Sequence, residues 1–190
     1  IEPVTYAPIL PMILINGASG IGTGWATNVP LYNPKDLIRN IKNIMKNKPV
    51  DDIRPWYRGF TGKIYKLNDT TYESTVVNTM ERIDKSTIQI KELPIKRWTD
   101  NYTSFLESCE QSKTNEDGYL NGYINHSGNL KIDFKINFIT SELREALKDK
   151  SGNKINKMLK LTSKISINNM HMYSSDGVIK KYNSVEDILW

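Results

Sequence analysis

Between Lys131 and Ile139 the chain alternates without a break. Ile132, Phe134, Ile136 and Phe138 take one face; Lys131, Asp133, Lys135 and Asn137 take the other. A strict period of two fits a strand with one face in a core and one in water, as in an antiparallel sheet. Thr87 to Leu93 repeats the pattern, with Ile88 and Ile90 opposite Gln89 and Lys91, and Pro94 stops it. Lys63 to Leu67 reads as a further short strand. Met170 to Tyr173 and Val178 to Tyr182 flank Ser174-Ser175-Asp176-Gly177, and Asp-Gly between two strand-like runs specifies a tight hairpin.

Helical signals are fewer. Asn33 is a good N-cap, Pro34 suits the first helical position, and Leu37, Ile41, Ile44 and Met45 recur on one face. Thr99 is expected to cap a helix using Tyr102, Phe105, Leu106 and Cys109, and Ser141 one using Leu143, Ala146 and Leu147. Pro8 to Ile15 reads as extended, Asn16 to Trp25 as a loop, and residues 111–130, polar and glycine-containing, as a loop or loose hairpin. Ser184 and Asp187 form a capping-box-like pair before Val185, Ile188 and Leu189, so a longer helix is expected in a parent protein. The fold class expected is α+β, a mainly antiparallel sheet with a few short helices.

The bulk properties narrow the field. With 190 residues and 38% hydrophobic content the chain can bury a real core. The net charge of +5 suits a nucleic acid or an acidic surface, though many unrelated proteins share it. A single cysteine, Cys109, excludes an intrachain disulfide, and with His126 and His171 far away in sequence it builds no zinc motif. Ile9 to Ile15, broken by Pro11, is far short of the ~20 residues that span a bilayer, so no membrane partner is expected. The first residue is not methionine and no basic leader follows, so the chain is expected to begin inside a longer protein.

The segment NGASGIGTGW concentrates glycine at Gly17, Gly20, Gly22 and Gly24. It has neither the spacing of a dinucleotide fingerprint nor the Lys-Ser/Thr pair of a P-loop. One reading is a tight turn between two elements. The other turns on Ile21, a β-branched side chain with few rotamers to lose, set between Gly20 and Gly22, which let a backbone approach a ligand closely. An apolar residue on a bare loop in a basic chain suits a wedge between base pairs, where unstacking costs on the order of a few kcal/mol per step. Lys96 and Arg97 are candidate phosphate contacts. Trp98, by its own context, fits a core aromatic position. Two further charge groups, Lys35, Arg39 and Lys42 on one helix face and Lys180-Lys181 after the hairpin, read as solvated.

These residues carry a resemblance. YAPILPMILINGASGIGTGWATNVPLYNP resembles the segment that follows the active tyrosine of eukaryotic-type type II (IIA) DNA topoisomerases, and Gly22-Thr23-Gly24-Trp25 sets it apart from the gyrase branch. PWYRGFTGKI (Pro55 to Ile64), KELPIKRWTDNY (Lys91 to Tyr102) and KLTSKISINNMHMYSSDGVIKKYNSVEDIL (Lys160 to Leu189) resemble, in order, the start of that family's tower domain, its Glu-Leu-Pro…Trp-Thr motif and its return strands toward a coiled coil. The resemblance implies that residues 1–54 close a winged-helix and DNA-bending region with its following helix. It makes 55–183 the tower domain and 184–190 the start of the helix to the coiled coil. It also implies that Ile21 intercalates and bends double-stranded DNA, with Gly20, Gly22, Lys96, Arg97 and Trp98 in the DNA-binding set. The family more often has threonine where Arg97 stands, and residues 113–130 depart most from its pattern, so no role is carried there.

In that family cleavage needs a tyrosine beside an arginine and a carboxylate cluster holding Mg²⁺. None of the 10 tyrosines here has that context, no Asp-x-Asp pair occurs, and Asp51-Asp52 reads as solvated charge in a linker. No catalytic residue, metal site or cofactor site is therefore expected in this chain. Mg²⁺ and ATP are expected of the parent, which the resemblance makes an ATP-dependent, nuclear, homodimeric isomerase with the rest of its own chain as partner. The competing reading from another class is a non-catalytic protein-interaction module, in which the glycine segment is only a turn.

Overall fold

The computed structural model describes residues 1–3, 8–111, 116–149 and 152–190. Tyr6 and Ala7 of the first motif, and part of the expected loop 111–130, lie outside the described residues. In chain order come α1 (Met12–Asn16), β1 (Ala18–Ile21), β2 (Ala26–Val29) and α2 (Pro34–Met45). Strands β3 (Lys63–Asn68), β4 (Thr71–Thr75), β5 (Glu81–Arg82) and β6 (Thr87–Ile90) lead to α3 (Thr99–Cys109). Then follow β7 (Leu120–Asn125), β8 (Phe134–Phe138), α4 (Thr140–Lys148) and α5 (Asn153–Met158). The chain closes with β9 (Thr162–Ser166), β10 (Met170–Tyr173), β11 (Ile179–Tyr182) and α6 (Glu186–Leu189). This is the α+β class, with antiparallel pairing and short helices.

Two compact units divide these elements. One holds Ile1–Gly59, Ile64–Tyr72 and Ile165–Trp190; the other holds Phe60–Lys63 and Glu73–Lys164. Strands β3, β4 and β9, ordered β3-β4-β9, carry the chain from one to the other.

The second unit is built on an antiparallel sheet ordered β5-β6-β8-β7. Its register sets Ile88 against Ile136 and Ile90 against Phe134, so the alternation seen in the sequence becomes one apolar face. Tyr102, Leu106 and Cys109 of α3 and Leu143 and Ala146 of α4 join that face in one core cluster. Tyr102 meets Phe134 edge-on at 5.2 Å and donates its hydroxyl hydrogen to the Leu159 carbonyl at 2.9 Å. Strand β6 ends at Ile90, short of the expected Leu93, because its partner begins only at Phe134. Strand β7 lies in the stretch read as a loop or loose hairpin. Its pairing slips between Leu120 and Gly122, and that irregularity hides the alternation from the sequence. Helices α3 and α4 start with Trp98 and Ile139 at the cap positions, and neither side chain caps, so Thr99 and Ser141 lie inside their helices.

In the first unit α2 is capped as expected, the Asn33 side chain accepting from Lys35 N. Its buried face centres on Leu37 and Asn40, whereas Met45 is exposed at the helix end. Asn40 is satisfied by the Asp36 carbonyl and by the Asp51 N–H. Arg39 pairs with Asp36 and Asp51, and Asp52 with Arg54. Residues expected to be extended after Pro8 instead make the single turn α1. Pro11 opens it, Leu14 is buried beneath it, and Gly17 ends it at φ 66°. Before α6 the Ser184 hydroxyl accepts from Asp187 N, but the Asp187 carboxylate accepts from Asn183 N rather than from Ser184 N and Val185 takes the cap position, so the expected capping box is only half formed.

Candidate functional site

The glycine segment is a β-hairpin. Ala18 pairs with Val29, Ser19 with Asn28, Gly20 with Thr27 and Ile21 with Ala26. Beyond Ile21, the Gly22 N–H donates to the Trp25 carbonyl at 2.8 Å, and Gly24 takes φ 85° at the tip. The sequence reading of a loop missed the strands because glycine occupies positions where alternation would show. Ile21 stands at the last paired position with 95% of its surface exposed. A Cβ added at Gly20 would meet nothing within 4 Å, and one at Gly22 only the Trp25 carbonyl at 3.6 Å. Packing inside the chain therefore does not require glycine at Gly20. Its bareness leaves open space beside Ile21.

A second hairpin stands next to the first. Met170 pairs with Tyr182 and Tyr173 with Ile179, and Gly177 at φ 73° makes the expected Asp-Gly turn. Between the hairpins lies an apolar cleft of about 330 Å³. Ile21, Trp25, His171, Met172, Tyr173 and Ile179 contribute its larger side chains. Tyr173 and Val178 are largely exposed beside it. Lys180 and Lys181 are exposed on β11, with the Lys180 ammonium 5.0 Å from the Tyr182 ring centre.

The remaining candidates sit in the other unit. Arg97 N donates to the Pro94 carbonyl at 3.0 Å, closing a turn in which Lys96 takes φ 66°. Lys96 is exposed and Arg97 half-buried. Trp98 is 72% exposed at the entrance to α3, so it is not the core aromatic that its sequence context also allowed. It borders a polar depression with Thr99, Asp100 and the 125–129 turn. Burial drives the Tyr102 hydroxyl above its ordinary range, and nearby Arg97 opposes that rise. The structure thus brings Gly20, Ile21 and Gly22 together on one hairpin, and Lys96, Arg97 and Trp98 together on one turn of the second unit.

Sequence reasoning weighed His171 only as a metal ligand and did not weigh Asn28 at all. Both hold β2. His171 Nδ1 lies 2.9 Å from the Ala26 carbonyl, and Asn28 Nδ2 donates to the Ser166 carbonyl at 2.7 Å. Their partners lie 145 and 138 residues away along the chain, so no local pattern could reveal them. Among the described residues no group of three or more His, Cys, Asp or Glu side chains is placed to hold a metal ion. No helix among them is long and apolar enough to cross a membrane.

Residues 1–190 match the family of the DNA gyrase/topoisomerase IV A-subunits. DNA topoisomerase 2 of Arabidopsis thaliana is 39% identical across 100% of this chain, which covers 13% of that protein. DNA topoisomerase 2 of Candida albicans is 36% identical across 100% of the chain, which covers 12% of it. The crystal structure of the Plasmodium falciparum topoisomerase II DNA-binding, cleavage and re-ligation domain matches with a TM-score of 0.89 at 35% identity. That match takes in 100% of this chain and 25% of the solved one.

Proposed function

The chain belongs to the DNA gyrase/topoisomerase IV A-subunit family, and from that premise we propose that it is the DNA-binding and DNA-bending part of an ATP-dependent type II DNA topoisomerase. The parent passes one duplex through a transient double-strand break in another. This chain positions and bends the duplex to be opened. Ile21 is the wedge, Gly20 and Gly22 let the backbone close on the stack, and Trp98, Lys96 and Arg97 grip the strands. The observation that carries the reading is the placement of Ile21, solvent-exposed at a hairpin tip and uncrowded by its glycine neighbours. Exposing it forgoes roughly 1.5–3 kcal/mol of burial, a cost that contact with unstacked bases would recover.

Mg²⁺ and ATP are proposed as requirements of the parent enzyme. The rest of the enzyme, a second copy of it and double-stranded DNA are the proposed partners, with residues 55–183 as the tower and the nucleus as the compartment. The test is Ile21→Ala in the full-length enzyme, read as bend angle by fluorescence transfer across an end-labelled duplex. Bending falls while the fold is kept; an unchanged angle removes the wedge. A gel shift with this chain at low salt should show weak duplex binding that fades steeply with salt, and its absence would favour a protein-interaction module.

A further inference from the structure

Two-stranded hairpins are marginal in water by themselves, and a wedge does work only if its mount resists the recoil of the bent duplex. The mount of Ile21 is visible. The Asn28 backbone N–H donates to the Asn169 carbonyl at 2.6 Å, and its side chain to the Ser166 carbonyl at 2.7 Å. One more contact lies nearer the tip. His171 Nδ1 is 2.9 Å from the carbonyl of Ala26, the residue paired directly with Ile21. A carbonyl only accepts, so Nδ1 carries the proton and donates. The same imidazole tilts at 55° against Trp25, its centroid 5.2 Å away, and the Trp25 carbonyl closes the tip through Gly22 N.

We propose that His171 is a positioning residue for DNA bending: by fixing Ala26 and Trp25 it locks the strand against which Ile21 is levered. The inference rests on the wedge reading of Ile21. A ring that leaves the tip in place without touching DNA should matter only where the duplex resists. Loss of His171 should therefore impair bending of an intact duplex and spare one already made flexible by a nick.

The experiment compares His171→Ala, His171→Asn and Ile21→Ala in the full-length enzyme, on intact and nicked end-labelled duplexes, with thermal unfolding followed in parallel. His171→Ala should lower the ratio of bent to straight intact duplex roughly threefold to tenfold, the worth of one hydrogen bond. It should leave the nicked duplex unchanged and lower the melting temperature no further than the loss of one hydrogen bond does. His171→Asn, whose amide can stand where Nδ1 does, should restore the ratio. Normal bending by His171→Ala, equal losses on both duplexes, a fall in melting temperature larger than one hydrogen bond accounts for, or failure of Asn to rescue would each overturn the assignment. If Ile21→Ala bends normally, the wedge itself is gone and this inference with it; if only His171→Ala does, the wedge stands and this inference alone falls.

Discussion

Glu92 and Thr61 are joined twice, the Glu92 carboxylate accepting from the Thr61 backbone N–H at 2.9 Å and from its hydroxyl at 2.7 Å. The same carboxylate takes the Gly62 N–H at 2.9 Å. Two of the sequence motifs, one containing Phe-Thr-Gly and one containing Glu-Leu-Pro, thus meet in one clamp. Glu92→Gln keeps the shape but removes the charge and turns one acceptor into a donor facing N–H groups. The expected loss is about 1–2 kcal/mol, read as a lower denaturant midpoint at constant slope. A midpoint equal to that of the unaltered chain would show the clamp to be passive.

Buried tyrosines should set an alkaline limit. Burial raises the pKa of Tyr102, whose hydroxyl donates to Leu159, and of Tyr119, whose hydroxyl bonds Cys109 Sγ and the Met158 carbonyl. A raised folded value means the folded chain holds the proton more tightly than the unfolded one. The stability so gained is complete below the unfolded value of about 10 and is lost as pH climbs toward the folded values. Stability should therefore be level in this respect up to about pH 9. Above that it should fall by up to about 1.4 kcal/mol per pH unit for each tyrosine. Tyr102→Phe should cost about 1 kcal/mol at neutral pH and flatten the alkaline fall. An alkaline slope identical in both proteins would exclude Tyr102 from it.

What the sequence disclosed follows the range of the forces involved. The alternation of Phe134, Ile136 and Phe138, the Asp-Gly turn and the Asn33 cap are set by neighbours within a few residues, and all appear in the structure. Strand β7 stayed hidden because its slipped register and Gly122 blur the period. Ile21 could be singled out from its glycine neighbours, but its hairpin could not. The strands pair through backbone groups that carry no residue signature, and the anchors at Ser166, Asn169 and His171 are distant in sequence. Trp98 stayed ambiguous because its exposure is decided by where α3 packs, not by its own motif.

Under the proposed function, Trp98 and Lys96 should separate contact from charge. Trp98→Ala removes a side chain that is 72% exposed, so folding should change by no more than about 0.5 kcal/mol. Duplex affinity of the full-length enzyme should still drop severalfold. Lys96→Gln should weaken binding evenly across sequences and reduce the salt slope of log K by about 1. Binding isotherms across a salt series measure both. A salt slope unaltered by Lys96→Gln would take Lys96 out of phosphate contact.

Gly17 and Gly20 lie three positions apart in one glycine-rich run, yet the structure gives them opposite reasons to be glycine. Gly17 takes φ 66° and ψ 175°, a backbone region nearly closed to other residues, and a Cβ there would lie 2.8 Å from the Val29 carbonyl and 2.8 Å from Leu31 Cδ1. Gly17→Ala should cost roughly 1–3 kcal/mol from the backbone alone and more from the contact with a carbonyl that cannot move aside. Gly20 sits in β1 with open space where its Cβ would be. Gly20→Ala should leave stability unchanged or raise it by up to about 1 kcal/mol, since alanine loses less freedom on folding. If the hairpin face closes on base pairs, the same methyl group occupies the space the duplex needs, and bending by the full-length enzyme should fall although the fold is intact. The pair therefore dissociates folding from function within one segment. A Gly20→Ala enzyme that is equally stable and bends DNA fully would mean that the bare face beside Ile21 is not the face DNA meets.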